Sequence, residues 1–320
     1  MRPLRILIWH VHGSYLYYLT QAFHHTFYLP SKPDRSQGYV GRWGHIPWSD
    51  NVHDIPVENI HSLDLDCIIF QSSEHYFHDQ YEMLSEEQRK LPQIYLEHDP
   101  PREHPTDTSH PIDNPNVLLV HVTSFNNLMW NNNRTPTCVI EHGVIIPENV
   151  SYRGEIERGL AVVNHLKKRG RRLGHDIFKS VREKIPLDLV GMEAEKVPGG
   201  LGEVSHDLLP AFESRYRFFF HPIRYTSFGL AVCEAMMIGM PIIGLATTEM
   251  AAVIKNDVSG YIDTNIHTLI DRMKELLHDP LKARHLGTMA RQYAKERFNI
   301  YRFIHDWDKA FQRVTGFSSR

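Results

Sequence analysis

Short, unbroken apolar runs recur along the chain and alternate with stretches of helical periodicity. Leu4–Trp9 (LRILIW), Leu65–Phe70 (LDCIIF), Ile94–Leu96 and Val117–Val120 are too short for helices and carry little alternation. Runs of this kind fit strands buried on both faces of a parallel sheet. Between two of them, Ser85-Glu86-Glu87-Gln88 has the Ser-x-x-Gln spacing of a capping box and predicts the start of a short polar crossover helix. The second half repeats the theme, with strands expected at Leu160–Val163, Leu187–Gly191, Arg217–Phe220 and Pro241–Leu245. Leu269, Ile270, Met273, Leu276 and Leu277 share one face of a helix that Pro280 cannot extend. Phe303, Trp307 and Phe311, at four-residue spacing, predict a final helix within 298–314 that packs on a domain. Alternation of strand and helix signals places the chain in the α/β class, in two similar halves.

The polar, turn-rich stretch from Ile145 to Gly154 separates those halves. The expected organisation is therefore a first domain over 1–150, a second over 151–300 and a terminal helix over 301–320. The stretch from Ser31 to Asn59 is rich in Gly, Pro and Trp and predicts no regular structure. It is long for an idle loop and is expected to cover a binding site.

Composition narrows the function. The 320 residues are 42% hydrophobic and 23% charged, with a net charge of -3, so no bulk field favours nucleic acid or an anionic membrane. A small partner is expected. Cys67, Cys138 and Cys233 stand singly without disulfide or metal-ligand spacing, which suits a reducing compartment. The first residues lack the sections of a signal peptide, and no apolar run approaches the ~18 residues of a membrane span. The chain reads as cytoplasmic, with peripheral attachment to a membrane left open.

The most informative segment is YTSFGLAVCEAMMIGMP, Tyr225 to Pro241, where one carboxylate, Glu234, interrupts an apolar helix. Thr226 and Ser227 are helix-capping types, Phe228-Gly229 permits close approach to the backbone, and Gly239-Met240-Pro241 stops the helix. Unpaired N–H groups and the positive pole of the dipole make such an end a site for phosphate. Glu234 lies about 7 Å further along the axis, at 1.5 Å per residue, where it can hold ribose hydroxyls. The structural alternative is a Glu paired with a buried Arg or facing water.

This segment resembles the motif E-S-F-G-L-x-x-x-E-A-M-A-x-G-x-P-V-I of the retaining nucleotide-sugar glycosyltransferases of family 4. The similarity runs from about Leu160 to Val314, with Thr226 at the position of the family's first Glu. It implies the GT-B fold of two facing Rossmann-like domains, with the last helix crossing back to the first domain. The implied activity is metal-independent, cofactor-free hexosyl transfer with retention. A nucleoside diphosphate sugar would be the donor, and a carbohydrate, lipid-linked or small-molecule compound the acceptor. Thr226, Ser227, Phe228, Gly229, Leu230 and Glu234 then form the donor site, together with Glu249 in the turn Thr247-Thr248-Glu249.

Other segments align with this resemblance. The run Lys167-Lys168-Arg169-Gly170-Arg171-Arg172 falls where the family writes R-L-x-x-x-K-G. Arg169 takes the place of the phosphate-binding Lys and Asn164 that of the Arg, with Lys168 or Arg171 able to compensate. A solvated basic turn and an anionic-polymer patch are the alternatives. Gly13, after the first strand, allows a ligand to approach the backbone. His10 and His12 share a strand face and are expected in neutral hydrogen-bonding roles, with no metal assigned. Tyr95-Leu96-Glu97-His98-Asp99 resembles the family's strand-end His-Asp, which assigns His98 to the donor sugar and makes it, with Arg169, the catalytic candidate. Val139–Val144 resembles the turn before the interdomain linker, with His142 at an Asn position. A nucleotide-sugar epimerase, a phosphorylase and a noncatalytic nucleotide-sugar-binding protein are the rival functions.

Overall fold

The structure, a computed structural model, describes residues 2–36, 38–44 and 46–316. It divides into two units, Met1–Gly143 with Ile300–Arg320, and Val144–Asn299. The sequence reading set the two junctions after 150 and after 300. Residues 317–320 of its terminal segment lie outside the described residues.

The first unit is built on seven parallel strands: β1 (Arg5–Ile8), β2 (Thr26–Ser31), β3 (Val52–Pro56), β4 (Cys67–Phe70), β5 (Gln93–Glu97), β6 (Val117–His121) and β7 (Thr137–Val139). Their spatial order is β3-β2-β1-β4-β5-β6-β7, so the sheet reverses direction between β1 and β4. The four runs read as strands from the sequence are β1, β4, β5 and β6; β4 and β6 are buried throughout, and β1 and β5 at all but Arg5 and Glu97. The reading of 31–59 as irregular needs correction, because β3 forms in it. As an edge strand β3 buries only Val52 and carries no apolar run to betray it. Gln37 and His45, in the same stretch, lie outside the described residues.

Three helices of this unit are α1 (Gly13–Leu19), α2 (Gln80–Met83) and α3 (Ser124–Met129). The capping box forms with both reciprocal bonds: Gln88 N–H donates to Ser85 Oγ at 3.2 Å and Ser85 N–H to Gln88 Oε1 at 3.0 Å. The expected helix is only one 3-10 turn, Gln88–Lys90, because Pro92 follows closely and Gln88 is drawn inward to donate to the Ile60 and Leu63 carbonyls.

The second unit holds five parallel strands: β8 (Ile156–Val162), β9 (Leu187–Val190), β10 (Tyr216–His221), β11 (Ile242–Leu245) and β12 (Gly260–Asp263), ordered β12-β11-β10-β8-β9. Direction reverses between β8 and β10. Its helices are α4 (Leu166–Arg169), α5 (His175–Arg182), α6 (Leu209–Glu213), α7 (Leu230–Ile238), α8 (Met250–Val253), α9 (Ile266–His278) and α10 (Pro280–Arg297). Pro280 ends α9 and also occupies the first position of α10, where its missing N–H costs nothing. Asp279 caps α10 by accepting the Lys282 N–H at 2.9 Å. The buried Arg217 donates to the last carbonyls of α9, Leu276 at 3.2 Å and Leu277 at 2.7 Å. A fixed charge there complements the negative helix end.

The final helix, α11 (Ile300–Thr315), belongs to the first unit. Phe303, Trp307 and Phe311 are fully buried against α1 and β6, and Trp307 Nε1 donates to Tyr15 Oη at 3.2 Å. Asp308 sits 3.0 Å from both His24 Nε2 and His25 Nε2, a grouping with the outline of a metal centre. His25 Nδ1 already accepts the Leu4 N–H at 3.0 Å, so its Nε2 carries the proton and donates to Asp308. The cluster straps α11 to the sheet.

Candidate functional site

In open parallel sheets, ligands settle beyond the carboxyl ends of the strands where strand order reverses. In the second unit that point lies between β8 and β10, and the two segments leaving these strands are the ones singled out from sequence. They are tied together directly: the Arg172 carbonyl accepts the N–H groups of Arg224 at 3.0 Å and Tyr225 at 3.2 Å. The basic turn after β8 and the Thr226–Leu230 turn after β10 therefore stand side by side.

Helix α7 begins at Leu230, with Gly229 as its N-cap at φ -82°, ψ 145° and no side-chain cap. In its first turn the Val232 N–H is bonded to the Gly229 carbonyl at 3.1 Å, while those of Leu230 and Ala231 precede the first acceptor within the helix. A Cβ placed on Gly229 would meet no atom within 4 Å, so packing does not require glycine here. Thr226 and Leu230 are half-buried and Ser227 is buried. Phe228 is buried and stacks on Phe298 at 5.7 Å, which gives it a packing role.

Glu234 is 6% exposed within α7, a helix apolar on all sides. Its charge acts on a second acid that sequence reading missed. Glu213, at the end of α6, is fully buried, and neither carboxyl oxygen has a hydrogen-bond partner among the described residues. Burial first, and the Glu234 charge second, push the Glu213 carboxyl well above the usual range, so it stays protonated. Two charged carboxylates in that interior would be prohibitive, and the structure resolves the conflict by neutralising Glu213. Glu249 is also buried, and Arg297 Nη2 lies 3.4 Å from its Oε1.

On the β8 side, Asn164 Oδ1 accepts the Met192 N–H at 2.9 Å and fastens the loop after β9. Arg169 is the half-buried last residue of α4, its N–H bonded to the His165 carbonyl at 2.9 Å. Lys168 is exposed and forms no ion pair among the described residues. Arg171 is held by Asp176 at 2.6 Å, and Arg224 bonds the same carboxylate at 2.6 and 2.8 Å. Of the two compensating cations weighed from sequence, only Lys168 is uncommitted.

In the first unit the reversal lies between β1 and β4. His98 follows β5, its Nε2 2.8 Å from Gln71 Oε1, with the His12 ring at 4.1 Å and the Tyr15 ring edge-on at 4.8 Å. Burial, with further contributions from His12 and His142, lowers its pKa well below 6.5, so the ring is neutral. His10 Nδ1 lies 2.6 Å from the Gly41 carbonyl, which can only accept, so Nδ1 carries the proton and donates it. That bond draws the 38–44 segment across the end of β1. Gly13 opens α1, and a Cβ there would come within 2.9 Å of His10 Nε2 and 3.0 Å of Ile46 Cδ1. Its lack of a side chain is explained by that packing. Gln71 was not singled out from sequence, although a polar residue directly after the buried run CIIF is a usable signal.

Comparison with known structures defines the class first: the chain has the two-domain GT-B fold. Sucrose-phosphate synthase from Thermosynechococcus elongatus superposes with TM-score 0.70 at 15% identity, covering 99% of this chain and 100% of that one. HepE from Anabaena, solved with UDP and glucose, gives TM-score 0.67 at 13% identity over 97% and 100%. A glycosyltransferase from Rickettsia africae gives 0.68 at 12% over 99% and 100%. Residues 199–293, from the loop before α6 into α10, match the family model of glycosyl transferases group 1. The match covers less than a third of the chain, within its second unit. No curated protein matches the sequence significantly. Among the described residues, no helix is long and apolar enough to cross a membrane.

Proposed function

We propose that the protein is a retaining, metal-independent glycosyltransferase of the family 4 type that moves a hexosyl group from a nucleoside diphosphate sugar to an acceptor. The observation that carries this reading is the start of α7: an open glycine N-cap at the β8/β10 reversal, joined to a basic turn, with a buried carboxylate further along the helix. Negative charge grows on the departing diphosphate as the glycosidic bond breaks. The N–H groups of Leu230 and Ala231 at the start of α7, with Arg169 and Lys168, oppose that charge, doing the work a cation does elsewhere. Glu234 takes the ribose hydroxyls. The departing phosphate oxygen accepts the acceptor's proton, and His98 orients the sugar as a neutral hydrogen-bonding group. Complexes of HepE with UDP and with UDP-glucose support a uridine nucleotide as the first donor to try.

Thr226 has only a neutral hydroxyl where the family has a carboxylate, which favours a donor sugar with a different hydroxyl pattern. The same residue is the observation behind a second reading, a nucleotide-sugar-binding protein without turnover. The protein is read as cytoplasmic and able to sit at a membrane surface if its acceptor is lipid-linked. A panel of nucleoside diphosphate sugars, scored for thermal stabilisation and for release of nucleoside diphosphate with and without acceptors, tests the proposal. Stabilisation with no release under any condition would leave the binding reading. No stabilisation by any nucleotide would defeat both.

A further inference from the structure

Gln71 stands directly after β4, next to β1 and β5 in the sheet, and is 8% exposed. Its amide is fixed by two neighbours with opposite demands. The Trp9 carbonyl, 2.6 Å from Gln71 Nε2, can only accept, so the amino group must face Trp9 and the oxygen must face away. That oxygen lies 2.8 Å from His98 Nε2. An amide oxygen is also only an acceptor, so the proton of the neutral His98 ring must be on Nε2. Nδ1 is left with its lone pair.

The rest of the surroundings hold this arrangement in place. Asn126 Nδ2 donates to the His98 carbonyl at 3.1 Å, and Asn126 N–H is bonded to Thr123 Oγ1 at 3.0 Å at the start of α3. Trp130 Nε1 donates to the Asp99 carbonyl at 2.8 Å. The titratable groups facing the ring are His12, His142 and Tyr15, and none supplies a negative charge that would favour imidazolium.

We propose that Gln71 is a positioning residue: the chain from the Trp9 carbonyl through the Gln71 amide locks His98 as the Nε2–H tautomer, with Nδ1 presented as a hydrogen-bond acceptor to a sugar hydroxyl. This rests on the assignment of His98 to the sugar made above. It adds a direction to that assignment, because a neutral ring in this tautomer accepts a hydrogen bond from a hydroxyl through Nδ1 and has no proton there for a leaving group. A donor lacking the facing hydroxyl leaves the Nδ1 acceptor of the half-buried His98 without that bond and is discriminated against.

The tautomer is read from long-range proton–nitrogen spectra of the full-length protein labelled at histidine, with His98→Asn used to assign the signal. Wild type should show a protonated Nε2 and a bare Nδ1, unchanged through the range in which an unperturbed His titrates. Gln71→Glu sets a carboxylate against the same nitrogen and should bring His98 into that range with protons on both nitrogens. Gln71→Leu should admit the other tautomer and lower kcat by about tenfold, the loss of one directed hydrogen bond. Wild type in the Nδ1–H tautomer, or a Gln71→Glu protein whose His98 titrates as wild type, overturns the proposal. If the spectra shift as expected while transfer by both variants equals wild type, the assignment of His98 to the sugar fails and the lock itself stands.

Discussion

Glu213→Gln offers the sharpest test of the interior of the second unit. The Glu213 carboxyl is fully buried without a hydrogen-bond partner among the described residues, beside the charge of Glu234, and its pKa is raised well above 4.5. A raised carboxyl pKa means that the folded state keeps a proton the unfolded state has lost. Stability from this group is therefore complete below pH 4.5 and declines as pH rises toward the folded value. Well inside that window the slope approaches ~1.4 kcal/mol per pH unit. Glutamine has nearly the same shape and no proton to lose. Near pH 4.5 the variant should match wild type, and as pH rises it should become progressively more stable than wild type, with ~2 to 4 °C in Tm for each kcal/mol in a domain of this size. All five tryptophans, Trp9, Trp43, Trp48, Trp130 and Trp307, lie in the first unit. Their fluorescence serves as an internal control that should not move, while the circular-dichroism transition of the second unit shifts. A gap between wild type and variant that stays constant from pH 4.5 to 7.5 would refute the reasoning.

Gly229→Ala should leave unfolding stability within about 1 kcal/mol of wild type, because φ is -82° and the added methyl meets no protein atom. Donor turnover should nevertheless fall at least tenfold as the methyl enters the space of the phosphate, and full activity would remove the helix end from the donor site. Glu234→Ala should weaken nucleoside diphosphate binding tenfold to a hundredfold by calorimetry, for a charged hydrogen bond of ~1.5 to 3 kcal/mol; unchanged affinity would release Glu234 from ribose. Arg169→Ala should lower kcat by more than an order of magnitude with unfolding midpoints unchanged, and activity within a factor of two would end its role with phosphate. Trp307→Ala empties a fully buried site on α11 and should cost about 3 to 5 kcal/mol, seen as a lower urea midpoint in the remaining tryptophan fluorescence.

The sequence by itself determined the α/β class, the central strands of both sheets and the packing face of α11. Each of those elements is buried on its whole surface or along one stripe, and burial writes an apolar run or a helical period into the chain. The same holds for the capping box at Ser85 and Gln88 and for the Thr226–Pro241 segment, whose information is local in sequence. Edge strands such as β3 were not legible, because one partner strand and a solvent-facing side impose no apolar pattern. What a polar side chain does in the interior was decided only by tertiary structure. Glu249 and Glu234 are both lone acids in apolar surroundings along the chain. Glu249 lies against Arg297, from a helix about fifty residues away, and Glu234 acts on the buried Glu213 carboxyl from α6. Likewise the single carbonyl of Trp9 fixes which nitrogen of His98 carries a proton, through an amide sixty-two residues further along. Hydrogen bonds and charges in a low-dielectric interior depend on which groups meet across the fold, and no spacing within one segment encodes that meeting.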